Sequence, residues 1–267
     1  MEASLWVSKT GLDGQQMRMT VISNNLANVN TVGFKRDRAV FEDLLYQNIR
    51  QAGGSTGGDN QAPTGLMIGT GVRVVATEKT HTQGSMIQTK NALDLAIQGE
   101  GMFQVLQPDG NMAYTRDGSF KLSVNREMVT AGGMQLQPVI TIPQNAESIS
   151  IGEDGTVSIQ PYGNAEEQVI GQLLLTRFVN YAGLEPMGKN LYRETSASGA
   201  PVIGVPDADG AGRISQGSLE AANVNVVEEM VNMIETSGPT RSTRRRFRRD
   251  RKSTRLNSSH QIISYAV

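Results

Sequence analysis

Apolar side chains repeat every seven residues near the beginning of the chain. The heptad positions between residues 4 and 36 are Leu5, Leu12, Met19 and Leu26, and the offset set adds Ile22. This spacing predicts a coiled-coil helix that stops near residues 30–33, where Asn and Gly tolerate left-handed backbone angles. Such a helix would be roughly 40 Å long at 1.5 Å per residue. Its single apolar stripe has no globular partner next to it in sequence, so it needs a second helix.

A second heptad pattern lies between residues 218 and 236. Its positions are Leu219, Val226 and Met233, and Met230 widens the stripe. We expect residues 1–36 and 218–236 to pair as a coiled-coil stalk. Because such a stalk buries little by itself, we expect it to pack against other copies of the chain. The alternative is that two amphipathic helices cover one ordinary globular core.

Short runs that alternate between apolar and polar residues fill the middle of the chain. Residues 37–71 include a Gly-, Ser- and Thr-rich stretch that predicts an extended connecting segment. From residue 72 to 217, alternating runs are separated by turn signals such as Asp109-Gly110 and Asp154-Gly155. The pattern predicts about ten strands in an antiparallel sandwich or open barrel. The expected fold class is therefore α+β, with a central, mostly antiparallel β domain looped out between the terminal helices.

The composition excludes several classes of protein. The chain has no cysteine, which excludes disulfide bonds and thiolate chemistry. No apolar run approaches the length of a membrane-spanning helix, so we expect no membrane insertion. Glu2 and Asp13 lie where a cleaved secretory signal would be basic and then apolar, so we expect no such signal.

Few residues suggest catalysis or ligand binding. His81 lies in a Thr- and Gln-rich run, and no acid or nucleophile is arranged around it in sequence. Asp207 and Asp209 match part of a calcium loop, but the third ligand position and the closing Glu are missing. The glycines of residues 53–71 match neither GxGxxG nor the Walker pattern. We therefore expect no enzyme activity, no cofactor and no metal site.

The residues from 237 to 267 differ in charge from the rest of the chain. Nine of the 25 Lys and Arg residues and one of the 26 acidic residues follow residue 236, which leaves a body near −9 and a tail near +8. The Arg-rich run at residues 241–252 would bind phosphate backbones unselectively. Nucleic-acid binding through this tail is therefore the alternative function.

Several segments resemble one family of proteins. Residues 22–35, with the sequence ISNNLANVNTVGFK, are similar to the N-terminal signature of the bacterial flagellar rod and hook proteins. Further segments are similar to the distal rod members of this family, and they are residues 63–77, 81–84, 93–103, 114–120 and 219–236. The resemblance covers residues 1–236 almost continuously.

The resemblance implies a structural subunit that polymerises helically into the distal rod, the drive shaft that transmits torque from the motor to the hook. It implies proximal rod and hook subunits, the P-ring and L-ring proteins and the flagellar type III export apparatus as partners. Export would deliver the subunit, without a cleaved signal peptide, to the basal body in the periplasm. The residues expected to contact neighbouring subunits are Leu5, Leu12, Met19, Ile22, Asn24, Leu26, Asn28, Leu219, Val226, Met230 and Met233.

The sequence after residue 236 departs from the family. The family continues with Gln-Arg-Ala-Tyr-Glu, whereas residues 237–241 read Ser-Gly-Pro-Thr-Arg, which the same DNA encodes in a frame shifted by one base. Residues 250–260 match the translation of a common sequencing-library adapter. We therefore interpret residues 237–249 as frame-shifted and residues 250–267 as not native, and we exclude both from the expected fold.

Overall fold

The computed structural model describes residues 2–52, 55–57, 60–61, 64–163 and 166–238. In these residues a helix lies near each end, and the strands between them are mostly antiparallel. The predicted α+β class is thereby confirmed. The chain divides into two compact units, and the first takes the described residues of Met1–Leu26, Asp37–Glu78 and Val226–Val267. The second unit takes those of Ala27–Arg36 and Lys79–Asn225.

The first unit contains both helices and three pairs of short strands. Helix α1 spans Glu2–Ala27, and helix α2 covers residues 226–238 of the described chain. The strand pairs are β1 (Asp37–Asp43) with β6 (Val72–Lys79), β2 (Tyr46–Arg50) with β5 (Leu66–Gly69), and β3 (Ser55–Gly57) with β4 (Asn60–Gln61). The described parts of residues 37–71 therefore consist largely of strands that belong to the first unit.

Helix α1 ends at Ala27, earlier than the predicted stop near residues 30–33. The residues that follow form tight turns, in which the Thr31 N–H donates to the Asn28 carbonyl at 3.0 Å. Gly33 has a φ of 68°, and a Cβ there would lie 2.7 Å from the Arg116 carbonyl carbon. Only glycine fits such a close approach. Helix α1 thus covers less of the segment 1–36 than expected, because residues 28–36 turn to pack within the second unit.

Helix α2 begins at residue 226, eight residues later than predicted. Residues 218–220, which were expected to open it, form strand β22 (Ser218–Glu220), antiparallel to β7 (Met86–Gln88). Leu219 therefore lies opposite Ile87 in a strand and not in a helical seam. This stretch is not helical because two of its polar side chains bind backbone N–H groups of other segments. Glu220 accepts from the Gly84 N–H at 2.8 Å, and Asn223 accepts from the Arg36 N–H at 2.7 Å.

The second unit is built from short strands. Their bounds are β8 (Leu95–Gln98), β9 (Phe103–Leu106), β10 (Met112–Thr115), β11 (Lys121–Leu122), β12 (Met128–Val129), β13 (Gln135–Gln137), β14 (Ala146–Ile151), β15 (Thr156–Pro161), β16 (Gln168–Gln172), β17 (Leu175–Arg177), β18 (Glu185–Gly188), β19 (Leu191–Arg193), β20 (Val202–Gly204) and β21 (Arg213–Gln216). A 3₁₀ turn covers Tyr181–Gly183. The prediction of about ten strands was too low, because strands of two or three residues leave no visible alternation in the sequence.

Two sheets and three strand pairs organise these elements. The larger sheet has the order β11-β12-β13-β9-β10-β19-β18, and the smaller has the order β14-β15-β16. The pairs are β17 with β20, β21 with β8, and β22 with β7. Neighbouring strands in these sheets and pairs run antiparallel.

The core of the second unit contains apolar side chains from several of its strands and loops. Val157 and Ile159 of β15 are buried, and Ser158 between them is partly exposed. Phe103 and Phe120 meet edge to face, with ring centroids 5.1 Å apart. Burying each such apolar side chain contributes roughly 1.5–3 kcal/mol. Packing of this kind makes the unit a firm support for the loops between its strands.

Candidate assembly site

The two helices contact each other within the first unit. The Arg18 guanidinium on α1 donates to the Asn232 side-chain oxygen on α2 over 3.5 Å. The Asn25 amide donates to Glu229 Oε1, also over 3.5 Å. Asn25 and Glu229 are both 1% exposed, and Ile22 beside them is 4% exposed. The helices therefore meet through polar side chains, one pair of which is buried.

Asn25 also attaches α1 to strand β1. Its side-chain oxygen accepts from the Asp37 N–H at 2.9 Å, and its amide nitrogen donates to the Asp37 carbonyl at 2.9 Å. An amide side chain can replace a neighbouring strand in this way, because it offers both a donor and an acceptor. The predicted assembly residues include Asn24 and Asn28 but not Asn25, and sequence reasoning did not assign Asn25 this role within the chain. The available signal was its position three residues after Ile22, on the same helix face.

We expect Asn25→Ala to lower the free energy of unfolding of the first unit by about 1–3 kcal/mol, because it removes two hydrogen bonds between a buried amide side chain and the backbone of Asp37. Asn24→Ala is the matched control. The Asn24 amide donates to Asp37 Oδ2 at 3.1 Å in an exposed position, so its loss should cost less than about 1 kcal/mol. Urea unfolding followed by the fluorescence of Trp6, the single tryptophan, measures both. Equal losses in the two variants would contradict this role of Asn25.

An apolar surface remains exposed on both helices. On α1, Leu5 is 47% exposed and Trp6 is 57% exposed. On α2, Val227 and Ile234 are 70% and 71% exposed, and Met230 is 49% exposed. Contiguous exposed apolar side chains of this kind mark interaction surfaces. We call the exposed apolar residues of α1 and α2 the helix stripe.

The predicted assembly residues do not share one environment. Nine of the eleven lie on α1 or α2, whereas Asn28 follows α1 and Leu219 lies in β22. Ile22 is buried, and Leu5, Asn24 and Met230 are exposed. The half-buried members are Leu12, Met19, Leu26, Asn28, Leu219, Val226 and Met233. The structure thus brings most of them to the helices of the first unit, but only some of them are free to contact another molecule.

A buried cluster of charged side chains lies in the second unit, and sequence reasoning missed it. Lys35 Nζ is 2.7 Å from Glu220 Oε1, and Arg116 Nε is 2.5 Å from Glu220 Oε2. The exposed fractions of Lys35, Arg116 and Glu220 are 2%, 6% and 1%. We call these three residues the clasp. The sequence indicated these residues only indirectly, because Lys35 and Arg116 lie in segments that resemble the rod and hook family.

Backbone groups complete the bonding of the clasp. Lys35 Nζ donates to the Thr82 carbonyl at 2.8 Å, and the Gly84 N–H donates to Glu220 Oε1. The carbonyls that accept from the Arg116 guanidinium are those of Ile97, Gly99 and Gly101. Burial acts to raise the pKa of Glu220, but the charges of Arg116 and Lys35 outweigh it and hold that pKa below its usual value. The clasp therefore holds an ionised carboxylate between two cations.

In the described parts of the chain, no group of three or more His, Cys, Asp or Glu residues is arranged to hold a metal ion. Neither helix, as far as it is described, has the length and apolar character needed to cross a membrane.

A β-rich unit, a helix near each end and an exposed helix stripe are typical of a structural subunit. Three family descriptions match the chain. They are "Flagella basal body rod protein" at residues 5–35, "Flagellar hook protein FlgE/F/G D1 domain" at residues 96–159, and "Flagellar basal body rod FlgEFG protein C-terminal" at residues 215–238.

Similar proteins agree with these matches. The flagellar basal-body rod protein FlgG of Buchnera aphidicola subsp. Acyrthosiphon pisum is 54% identical over 236 residues, which are 88% of this chain and 91% of that protein. FlgG of Borreliella burgdorferi is 44% identical over 236 residues, with 88% and 89% covered. The chain therefore belongs to the FlgG family of flagellar basal-body rod proteins, and it is a structural subunit of the flagellar basal body.

The nucleic-acid alternative gains nothing from these comparisons. The Arg-rich run that suggested it lies within residues 239–267, outside the described residues. The matched family descriptions concern the rod and the hook only.

Proposed function

We propose that the chain polymerises helically through its terminal helices, which pair as a coiled coil and form the inner tube of the distal rod. The rod then serves as the drive shaft between the motor and the hook. The observation that carries this proposal is the helix stripe. It lies on the helices that the two rod descriptions match, at residues 5–35 and 215–238.

The helix stripe supplies the driving force for association. Burying one exposed Val, Ile or Met side chain contributes roughly 1.5–3 kcal/mol. Val227, Met230, Val231 and Ile234 on α2 are 49–71% exposed, so each subunit has several such side chains to bury. Every copy carries both helices, and each copy can therefore cover the helix stripe of its neighbour. The predicted assembly residues on these helices are the proposed contacts.

The proposal includes the partners that rod membership implies. These are proximal rod and hook subunits at the ends of the polymer, the P-ring and L-ring proteins around it, and the type III export apparatus that delivers the subunit to the periplasm without a cleaved signal peptide. Similarity to a hook protein supports the hook subunits as partners. The flagellar hook protein FlgE of Borreliella burgdorferi is 37% identical over 171 residues, which are 62% of this chain and 38% of that protein.

The direct test is polymerisation of the purified chain with the family ending, Gln-Arg-Ala-Tyr-Glu and the turns that follow it, in place of residues 237–267. We expect helical polymers above a critical concentration, seen by sedimentation and electron microscopy. A chain that stays monomeric at every concentration would contradict the proposal.

We also expect the chain that ends in residues 237–267 to fail to restore motility to a strain that lacks its rod subunit. The chain with the family ending should succeed. The described part of α2 covers residues 226–238. A helix of about 12–15 residues is marginal without further contacts. Swimming in soft agar measures the difference, and immunoblots of both chains control for expression. Restoration of motility by the chain that ends in residues 237–267 would overturn this prediction.

A further inference from the structure

We propose that acid releases the clasp, with His81 as the proton acceptor, and that this release frees the segments through which the chain passes between its two units. The proposal concerns residues 33–36, 79–85 and 218–223, which we call the crossing segments. They lie next to three of the four points at which the chain changes unit, namely those after Arg36, before Lys79 and after Asn225; the fourth lies after Leu26.

The clasp joins all three crossing segments. Lys35 belongs to the first, and its acceptor Thr82 belongs to the second. Glu220 belongs to the third, where it accepts from both Lys35 and the Gly84 N–H. A single carboxylate therefore connects stretches that are far apart in sequence.

Backbone bonds and one asparagine reinforce this junction. The Gly33 N–H donates to the Glu220 carbonyl at 2.8 Å, and the Thr80 N–H donates to the Arg36 carbonyl at 2.8 Å. Asn223 accepts from the Arg36 N–H at 2.7 Å and donates to the Thr80 carbonyl at 2.7 Å. The crossing segments are thus held together by these bonds in addition to those of the Glu220 carboxylate.

His81 directly precedes Thr82, whose carbonyl accepts from Lys35 Nζ of the clasp. Both ring nitrogens are buried, and neither has a hydrogen-bond partner among the described residues. Its ring packs against Tyr181 and Tyr192, with centroids 5.5 Å and 5.6 Å away. The charged groups that act on it are Lys35, Lys79 and Arg116, which repel a protonated ring, and Glu220, which attracts it.

The direction of the pH effect follows from these surroundings. Burial, and after it Lys35, Lys79 and Arg116, lowers the pKa of His81 from 6.5 to about 4. Between these two values the unfolded chain binds a proton that the folded chain does not, so stability falls as the pH falls. Glu220, whose pKa is lowered, adds to the loss at still lower pH because protonation removes the charge that holds the two cations. Both groups act in the same direction.

Hydrogen exchange in the full chain tests the proposal. The probes are the Gly33 and Gly84 amides, which bond to Glu220. After correction for the intrinsic exchange rate, we expect the opening equilibrium at both amides to rise roughly 100-fold between pH 6.5 and pH 4. His81→Phe keeps an aromatic ring between the two tyrosines and cannot take a proton, so this rise should disappear.

Two further variants make the result decisive. His260→Phe changes the other histidine of the chain, and it should keep the full pH dependence. His81→Gln, a polar replacement without a titrating ring, should lose the pH dependence as His81→Phe does and covers the case in which the phenylalanine does not pack. A rise that persists in both His81 variants would overturn the proposal, and so would a flat profile in the unsubstituted chain.

Discussion

Glu220→Gln is expected to lower the free energy of unfolding of the second unit by about 3–5 kcal/mol. The amide keeps the shape of the side chain but removes the charge that pairs with Lys35 and Arg116, which remain buried. A buried cation without its partner keeps most of its desolvation cost. Native-state hydrogen exchange measures the loss at the Met102 and Thr176 amides, which bond to each other's carbonyls in this unit.

Glu185→Gln is the matched control for this substitution. Glu185 pairs with Arg193 at 2.6 Å, but both side chains are about half exposed, at 52% and 51%. Exposed pairs contribute less than about 1 kcal/mol. Adding Lys35→Met to Glu220→Gln should recover part of the loss, because one unpaired cation is removed. Equal losses from Glu220→Gln and Glu185→Gln would show that burial of the clasp has no energetic importance.

Met230→Glu is expected to raise the critical concentration for polymerisation by about 100-fold or more, in the chain that carries the family ending. The substitution forfeits roughly 1.5–3 kcal/mol of apolar burial and places a charge in the contact. A loss of about 2.7 kcal/mol corresponds to this factor. Because Met230 is 49% exposed in the single chain, folding should be nearly unchanged. Sedimentation over a concentration series measures the critical concentration, and circular dichroism checks the fold.

Met187→Glu is the matched control for Met230→Glu. It adds the same charge at a site outside the proposed contact, so it shows whether an added charge alone weakens polymerisation. Met187 lies on β18 in the second unit and is 44% exposed, close to the exposure of Met230. It lies outside the helix stripe, so we expect the critical concentration to change less than about threefold, under 1 kcal/mol. Polymerisation of Met230→Glu at the unsubstituted concentration would remove Met230 from the proposed contacts.

The sequence indicated the local elements well because they follow from periodicity. A repeat of seven placed helices at both ends, and alternation placed buried residues such as Val157 and Ile159 in a strand. The rod signature at residues 22–35 was also readable, because it is one continuous segment. The position of the described β-rich region between two helices follows from these local patterns.

Boundaries and buried polar residues were not readable in the same way. Residues 218–220 continue the seven-residue repeat, yet they form a strand because their partners lie in β7. The role of Asn25 was missed for a related reason. The position of this residue on the helix face of Ile22 was readable, but its bonding to the backbone of Asp37 depends on where the strand after the helix lies.

A helix with apolar positions near each end and a β-rich middle could be predicted from the order of residues, because such properties depend on neighbours along the chain. The burial of Glu220 as an anion could not, since its partners Lys35 and Arg116 are 185 and 104 residues away in sequence and meet it only in the folded chain. Glutamate side chains are normally exposed, and they are buried mainly where the fold brings cations next to them.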